Sequence, residues 1–536
     1  MEFDYIIVGS GAGGSVLASR LSADRGSRVL ILEAGASDRG PVHRVPKGFA
    51  FTMTDPKFTT SYVTEPSQPG SPGDTWFRGR VVGGSTTING LVWNRGWRPD
   101  FDRLEAEGNS GWGWQTFLGA YRDLENFRAG VPTQPGLHGR GGPVDVEMAL
   151  PAEEVCEAFL GSAAAVGMPR TADVNGSDDD RAGYAQFSTR RGLRVSASSA
   201  HLRPSLRRDN LTLVTGATVQ RILFEGKRAV GVLVDQGGRR REYRAAREVL
   251  VSAGALESPL LLERSGIGRG DVLQAAGIEQ RVESPNVGER MSEHRGLRFM
   301  YQVKGAKGFN HQVNSQRDQL LTGAKFLLTR RGIIAQGSAS VLTYFSAHHD
   351  ATRPDAIGFF SPMSTKTATL HDKKLATADE PGMMVAVYPL RPTSQGSIHL
   401  PSAGAGPTPV VTANFLSTDY DRALIVAMAR RMRELFASGP VARLVDAPLS
   451  PACEMQDDDE LVQHALTAGA SGYHTLGTCA MGPNDADVVD SELKVRGVEG
   501  LRVVDASVFP HQPSGNTSAP TQALAWHAAR LILADA

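Results

Sequence analysis

Residues 3–8, Phe-Asp-Tyr-Ile-Ile-Val, open the chain with a dense run of β-branched and aromatic side chains, which predicts a short buried strand. A glycine cluster follows, then a helical stretch from about Gly13 to Asp24 that ends near Gly26. Arg28 to Glu33 is a second apolar strand. Strand, helix and strand thus fit within about 30 residues, the size of a parallel βαβ element. Residues 36–80 are rich in Gly, Pro, Ser and Thr and read as a long excursion over the surface. Strand patterns return at 211–214, 217–224, 228–234 and 247–252, followed by a helix-like segment at about 254–264 that Ser265-Gly266-Ile267-Gly268 closes. Residues 300–400 mix strand patterns with polar turns. An amphipathic helix is expected at about 419–438, a strand at 501–505 and a terminal helix after Pro520. Dinucleotide-type elements therefore stand at both chain ends with a different kind of sequence between them. One cofactor domain built from distant segments, with a substrate domain inserted, is the economical arrangement.

Composition narrows the class of function. At 536 residues the chain exceeds one ordinary core, and 41% apolar with 21% charged residues is the balance of a globular protein. Formal net charge is zero, so neither nucleic acid nor an anionic membrane is expected as main partner. The short basic clusters Arg190, Arg191, Arg194 and Arg239 to Arg241 read as solvated loop charges. Three scattered cysteines make neither a disulfide framework nor a zinc site, which suits a reducing compartment. No secretory pattern opens the sequence, and no stretch approaches the ~20 apolar residues that span a bilayer. A cytoplasmic location without a transmembrane segment is the expectation.

Candidate chemistry begins with Gly9-Ser10-Gly11-Ala12-Gly13-Gly14, which satisfies G-x-G-x-x-G. Gly9 permits a tight turn, Gly11 a close approach to a pyrophosphate, and Gly14 close helix–strand packing, with the helix N-terminus supplying donors. Glu33, nineteen residues beyond Gly14, is placed to accept ribose hydroxyls. This pattern indicates a dinucleotide and leaves FAD and NAD equally open. Gly79-Arg80-Val81-Val82-Gly83-Gly84-Ser85-Thr86-Thr87-Ile88-Asn89-Gly90 is a run of small residues, read either as a surface loop or as backbone passing close to something flat or charged.

Taken with later segments, this run resembles the glucose–methanol–choline (GMC) oxidoreductases. Residues 79–96 look like the family's first signature, and Gly254-Ala255-Leu256-Glu257-Ser258-Pro259 through Gly268 like its second. Residues 285–294, ending Glu293-His294, are similar to its Val-Gly-x-Asn-Leu-x-Asp-His segment. Residues 472–482, Gly-Tyr-His-Thr-Leu-Gly-Thr-Cys-Ala-Met-Gly, are similar to its catalytic histidine loop, and Val504-Asp505-Ala506-Ser507 with Gly515-Asn516-Thr517-Ser518-Ala519-Pro520-Thr521 completes the order. The resemblance implies an α/β fold with a discontinuous Rossmann-like FAD domain (1–155, 190–298 and 460–536). It implies also an inserted substrate domain with an antiparallel sheet and helices (156–189 and 299–459).

It also implies roles. Gly9, Ser10, Gly11, Ala12, Gly14 and Glu33 would hold the adenosine diphosphate half of FAD, and Val219 would meet the adenine. Arg80, Val82, Gly83, Ser85, Asn89, Gly90 and Val92 would line the pyrophosphate and flavin. Ala253, Asp505, Ala506 and Thr517 would complete the cofactor's surroundings. Some relatives bond a first-signature histidine covalently to flavin; the matching position here is Ile88, so a dissociable FAD is expected.

His474 and Asn516 are the implied catalytic pair. A neutral imidazole takes the hydroxyl proton of an alcohol, flavin N5 takes the hydride, and Asn516 donates to the developing alkoxide. The expected reaction is oxidation of a primary alcohol to an aldehyde, with oxygen, a quinone or a protein receiving the electrons. The loop and the Asn-Thr-Ser-Ala-Pro-Thr segment look most like choline and other alcohol dehydrogenases and aryl or furfuryl alcohol oxidases. Trp93, Phe345 and Tyr473 are candidate walls of the substrate site. His294 and His511 are expected to be structural or pocket-lining, Cys479 to be core, and the pair His348-His349 has no partner spacing for a metal. A nicotinamide enzyme, a redox-neutral lyase or photodecarboxylase, and a non-catalytic binding protein are the competing readings.

Overall fold

The N-terminal apolar run becomes the strand Glu2–Val8, which lies between Val29–Glu33 and Arg239–Val251 and parallel to both in a computed structural model describing residues 2–67, 73–149, 153–366, 377–404 and 408–535. Leu211–Thr215 adds in parallel beyond Val29–Glu33, and Leu501–Val503 pairs with the carboxyl end of Arg239–Val251. Val29–Glu33 is buried at every position, which explains its unbroken hydrophobic character. The amino half of Arg239–Val251 leaves this parallel layer to pair antiparallel with Arg228–Gln236, which pairs in turn with Ala217–Glu225. The helix Ala12–Leu21 crosses from the first strand to the second and packs against the terminal helix Ser518–Ala534. The two ends of the chain thus form one layer.

A second sheet is mainly antiparallel, in the order Val445–Pro448, Arg295–Val303, Gly382–Pro389, Ala356–Ser361, Val341–Phe345 and Arg181–Tyr184. The helices Glu154–Ala165, Asp419–Ala437 and Asp458–Ala468 contribute buried side chains to the same core, which is separate from the core of the first sheet. The domain boundaries expected at 155/156 and 459/460 fall inside two of these helices. Both helices are amphipathic toward the second core and belong with it whole.

Other expectations shift for physical reasons. The helix within the second signature starts at Glu257 because Gly254, at φ +91°, breaks the backbone just before it. Residues 36–80 contain a hairpin, Thr59–Val63 with Thr75–Gly79, whose Tyr62 and Trp76 are buried. Arg239 to Arg241 are solvated as expected, but on a strand and not on a loop. The terminal helix begins at Ser518, with Pro520 in the first turn, where its missing N–H is no loss.

Candidate active site

The glycine pattern of the first βα turn is used for close packing. A side chain at Gly9 would overlap the Ser252 carbonyl, one at Gly14 the Gly9 carbonyl, and one at Gly13 the Val504 carbonyl; Gly11 faces open space. The helix Ala12–Leu21 starts without any side-chain cap, so its first amides keep their donor capacity. Glu33 is buried and takes the Ser10 N–H at 3.0 Å, the Ser10 hydroxyl at 2.5 Å and the Gly35 N–H at 2.7 Å. Burial pushes its carboxyl up, and the Ser10 and Gly35 hydrogen bonds oppose that shift. A carboxylate has about four acceptor sites, so lone-pair capacity is left for a ribose. The Gly83 N–H donates to the Ser10 hydroxyl at 3.2 Å, and a side chain at Gly84 would press on the Gly11 Cα. The two glycine-rich motifs, seventy residues apart in sequence, therefore form one cradle.

Arg194 belongs to this cradle and is not the solvated loop charge expected of it. Its guanidinium is buried and donates to the carbonyls of Thr86 and Pro46 and to Asn89 Oδ1 at 2.9 Å. Burial lowers its pKa to about 9. The neutral acceptors that surround it come from loops with no charge signature, so the basic cluster alone could not reveal them. Asn89 Oδ1 also takes the Leu91 N–H, and Ser338 packs on Gly90. Ser85 accepts from the Gly79 N–H, Val92 bridges to Phe187, Arg80 is exposed with its charge bearing on Glu33, and Val82 and Val219 are buried in the first core. Asp505 is fully employed: it takes the Gly254 N–H at 2.8 Å, the Ser258 hydroxyl at 2.5 Å, and the Ser507 N–H and hydroxyl. It fastens the second signature, with Ala253 beside it, to the strand end before Ala506.

His474 lies where the two sheets meet. Arg295 and Gly296 pair with Ser471 and Ala470, and Ser292 with Leu476, so the segment around His294 runs alongside the loop that carries His474. A side chain at Gly472 would press on both imidazoles. Tyr473 takes φ +60°, Ser514 φ +37° and Gly515 φ +144°, so strained backbone gathers around the pair His474 and Asn516. Glu293 Oε1 accepts the backbone N–H groups of His294 and His474, both at 2.9 Å. Its Oε2 accepts from the Thr475 hydroxyl at 2.6 Å and from Arg78 at 3.3 Å.

The ring nitrogens form a directed chain. His294 Nε2 lies 3.3 Å from the Leu390 carbonyl, which only accepts, so that nitrogen carries the proton and His294 Nδ1 is bare. His474 Nδ1, 3.0 Å away, must then be the donor. His474 Nε2 is left as an acceptor, and Asn516 Nδ2 meets it at 2.9 Å. Burial depresses the pKa of His474 well below the usual imidazole value, helped by His294 and Arg78. His294 is lowered to about 4 by burial. Tyr388 stacks on His294 at 4.6 Å and meets His474 edge-on at 5.9 Å. The outcome is a neutral imidazole whose Nε2 lone pair accepts from a neutral amide.

Two family models for GMC oxidoreductases match this chain, the N-terminal one at residues 3–295 and the C-terminal one at 392–525. The chain belongs to the GMC oxidoreductase family. It is 34% identical over 540 residues to an oxygen-dependent choline dehydrogenase of Vibrio vulnificus (strain YJ016), covering 99% of this chain and 94% of that protein. It is 35% identical over 525 residues to one of Sinorhizobium medicae (strain WSM419), covering 97% and 94%. Among solved structures, pyridoxine 4-oxidase from Mesorbium loti aligns with a TM-score of 0.87 at 28% identity, over 98% of each chain. A formate oxidase from Aspergillus oryzae RIB40 aligns with 0.92 at 25%, over 100% of this chain and 98% of that one.

As a GMC oxidoreductase the protein is an FAD-dependent enzyme, and its residues fit that cofactor. The uncapped helix start and the open face of Gly11 suit a pyrophosphate. Asn516 Oδ1 and Asn94 Nδ2 are buried beside the His474 loop without a partner. Thr517, whose carbonyl accepts the Thr521 hydroxyl, begins a terminal helix that likewise lacks a side-chain cap.

The proposed pocket walls separate. Tyr473 borders His474 and lies under the Arg78 guanidinium at 5.8 Å. Trp93 does not: its indole donates to Glu125 at 2.7 Å inside the first core. Phe345 is fully buried in its strand within the second core. His511 bonds Glu107 at the surface, Cys479 is buried, and His348, His349 and Asp350 lie close together on a largely exposed turn. Glu293, Tyr388, Leu390 and Gln512, which donates to the His474 carbonyl, are site residues that sequence reasoning missed. Only Glu293 carried a signal, as the neighbour of His294 where the family pattern has an acid before its histidine.

Proposed function

We propose that the protein oxidises a primary alcohol to an aldehyde, with His474 as general base and Asn516 as hydrogen-bond donor. The observation that supports this reading is the bare Nε2 of His474 facing the Asn516 amide at 2.9 Å. An alcohol hydroxyl that displaces this contact accepts the Asn516 N–H and gives its proton to His474 Nε2. The Nδ1–H of His474 stays on His294, whose own Nε2–H stays on Leu390, so the ring keeps its orientation throughout. Bound FAD supplies the two-electron acceptor for hydride from the same carbon. Burial keeps His474 unprotonated at neutral pH but makes it a weak base, so proton removal and hydride departure are expected to advance together.

Two of the relatives named above are choline dehydrogenases, but the charges here favour an uncharged substrate. Glu293 is the carboxylate in contact with the cluster, and backbone amides, Thr475 and Arg78 already hold it. Arg78 itself adds positive potential at His474. Among the described residues a quaternary ammonium would therefore lack a free counter-charge. Ile88 at the family's attachment position favours dissociable FAD. Oxygen, a quinone or a protein remains the class of electron acceptor.

Anaerobic mixing with a panel of alcohols tests the reading. Uncharged primary alcohols such as benzyl and furfuryl alcohol should bleach the flavin in the dark, and choline should do so poorly. An oxidised spectrum after every alcohol would point instead to redox-neutral chemistry. Acid precipitation should leave the yellow colour in the supernatant, and colour held in the pellet would contradict the reading of Ile88.

A further inference from the structure

Among the described residues nine large apolar side chains are exposed, and four of them, Leu320, Leu321, Leu327 and Leu328, lie on one helix, Gln316–Thr329. Leu320 is 74% and Leu328 86% exposed. At about 100° per residue, these leucines and Ala324 share an arc of about 120°. Phe326, the helix's buried residue, points the opposite way. This is the reverse of an ordinary surface helix, which turns its apolar stripe inward.

The helix is anchored at both ends. Ser315 caps its start by accepting the Asp318 N–H, and at its far end the Arg330 carbonyl sits where a side chain at Gly192 would be. Phe51, 77% exposed, follows a turn, Pro46–Gly48, that packs on Ile333–Ala335, as the helix does. Charge is concentrated here too. Residues 304–331 carry Lys304, Lys307, Arg317, Lys325, Arg330 and Arg331 against Asp318 alone, in a chain of zero net charge.

We propose that this face docks the protein on an anionic lipid bilayer. The leucines enter the boundary between headgroups and acyl chains while the cations meet lipid phosphates. A second copy of the chain is the poorer occupant, because a two-fold contact sets this cation-rich segment against its own copy. Through Gly192 the helix abuts the 190–194 turn, whose Arg194 holds Thr86 and Asn89, so the docked face lies on the cofactor side of the molecule.

Flotation of the FAD-loaded, full-length protein tests this. With vesicles of phosphatidylcholine and phosphatidylglycerol at low salt the protein should float. Phosphatidylcholine alone, or the double variant Leu327→Asp/Leu328→Asp, should reduce the floated fraction about tenfold. The triple variant Lys325→Glu/Arg330→Glu/Arg331→Glu should lose the preference for anionic vesicles. Unchanged alcohol-driven bleaching in both variants shows that they are folded. A wild-type protein that stays unbound overturns the proposal, as does a double variant that floats equally well. So does a concentration-dependent dimer that the double variant dissolves while vesicles are ignored.

Discussion

His138 and His474 are both largely buried imidazoles with a hydrogen-bond partner at each ring nitrogen, yet the fold shifts their pKa values in opposite directions. His138 lies between Glu125 Oε2 at 2.8 Å and Asp173 Oδ2 at 2.9 Å, with Phe127 stacked on its ring. Burial works against its proton, but the Asp173 and Glu125 hydrogen bonds outweigh burial and raise its pKa. Glu125 is meanwhile held at about 2: burial pushes it up, and Arg95 and His138 more than reverse that. Among the described residues His474 has no carboxylate on its ring. Its partners are a second imidazole and an amide, both neutral, so desolvation wins. A ring clamped between two carboxylates holds structure together. A ring whose unprotonated nitrogen meets only a neutral amide keeps a lone pair that a substrate hydroxyl can claim.

The comparison breaks most visibly at Glu125, which serves Trp93, Arg95 and His138 together. Glu125→Ala should cost about 3–5 kcal/mol of stability, because it leaves the buried Arg95 guanidinium without its carboxylate and His138 with Asp173 alone. A denaturation midpoint close to wild type would show the network to be inert. The matching change on the other side, His294→Leu, leaves His474 Nδ1–H without its acceptor. Flavin reduction should slow about tenfold or more. His294→Gln, which can still accept, should recover part of the rate and restore the pH profile; equal loss in both variants would mean that only packing is at stake.

The smallest effect is in the pH dependence, and it runs in opposite directions. The raised pKa of His138 contributes stability that is present below the unfolded value of about 6.5 and lost as pH rises through the folded value. The slope cannot exceed about 1.4 kcal/mol per pH unit, and His138→Gln should remove it. The depressed pKa values of His294 and His474 act on the acid side. The unfolded chain takes up protons first there, so stability falls as pH drops from about 6.5 toward 4. Flavin reduction should stay flat through neutrality and decline only below pH 6.5; a decline centred above 7 would contradict a neutral His474.

How much of this was legible in the sequence follows the range of the interactions. The βαβ unit, the glycine turn and Glu33 are contiguous, and both fold and cradle could be read from them. His474 and Asn516 stood out because their motifs did. The rest of the proton chain did not, because His294 and Leu390 reach the site through the register of the second sheet, 180 and 96 residues from their partners. Arg194 looked solvated because its acceptors are backbone carbonyls and an amide from distant loops. Trp93 looked like a pocket wall because its motif borders the flavin segment; the buried Glu125 that claims its indole has no local signature.

The central claim is that His474 takes the substrate proton at Nε2. Stopped-flow reduction by a saturating alcohol, without oxygen, measures it in wild type and in His474→Ala. The account predicts a rate lower by about 10² to 10⁴ with FAD still bound. Reduction at a near wild-type rate in the variant would contradict it.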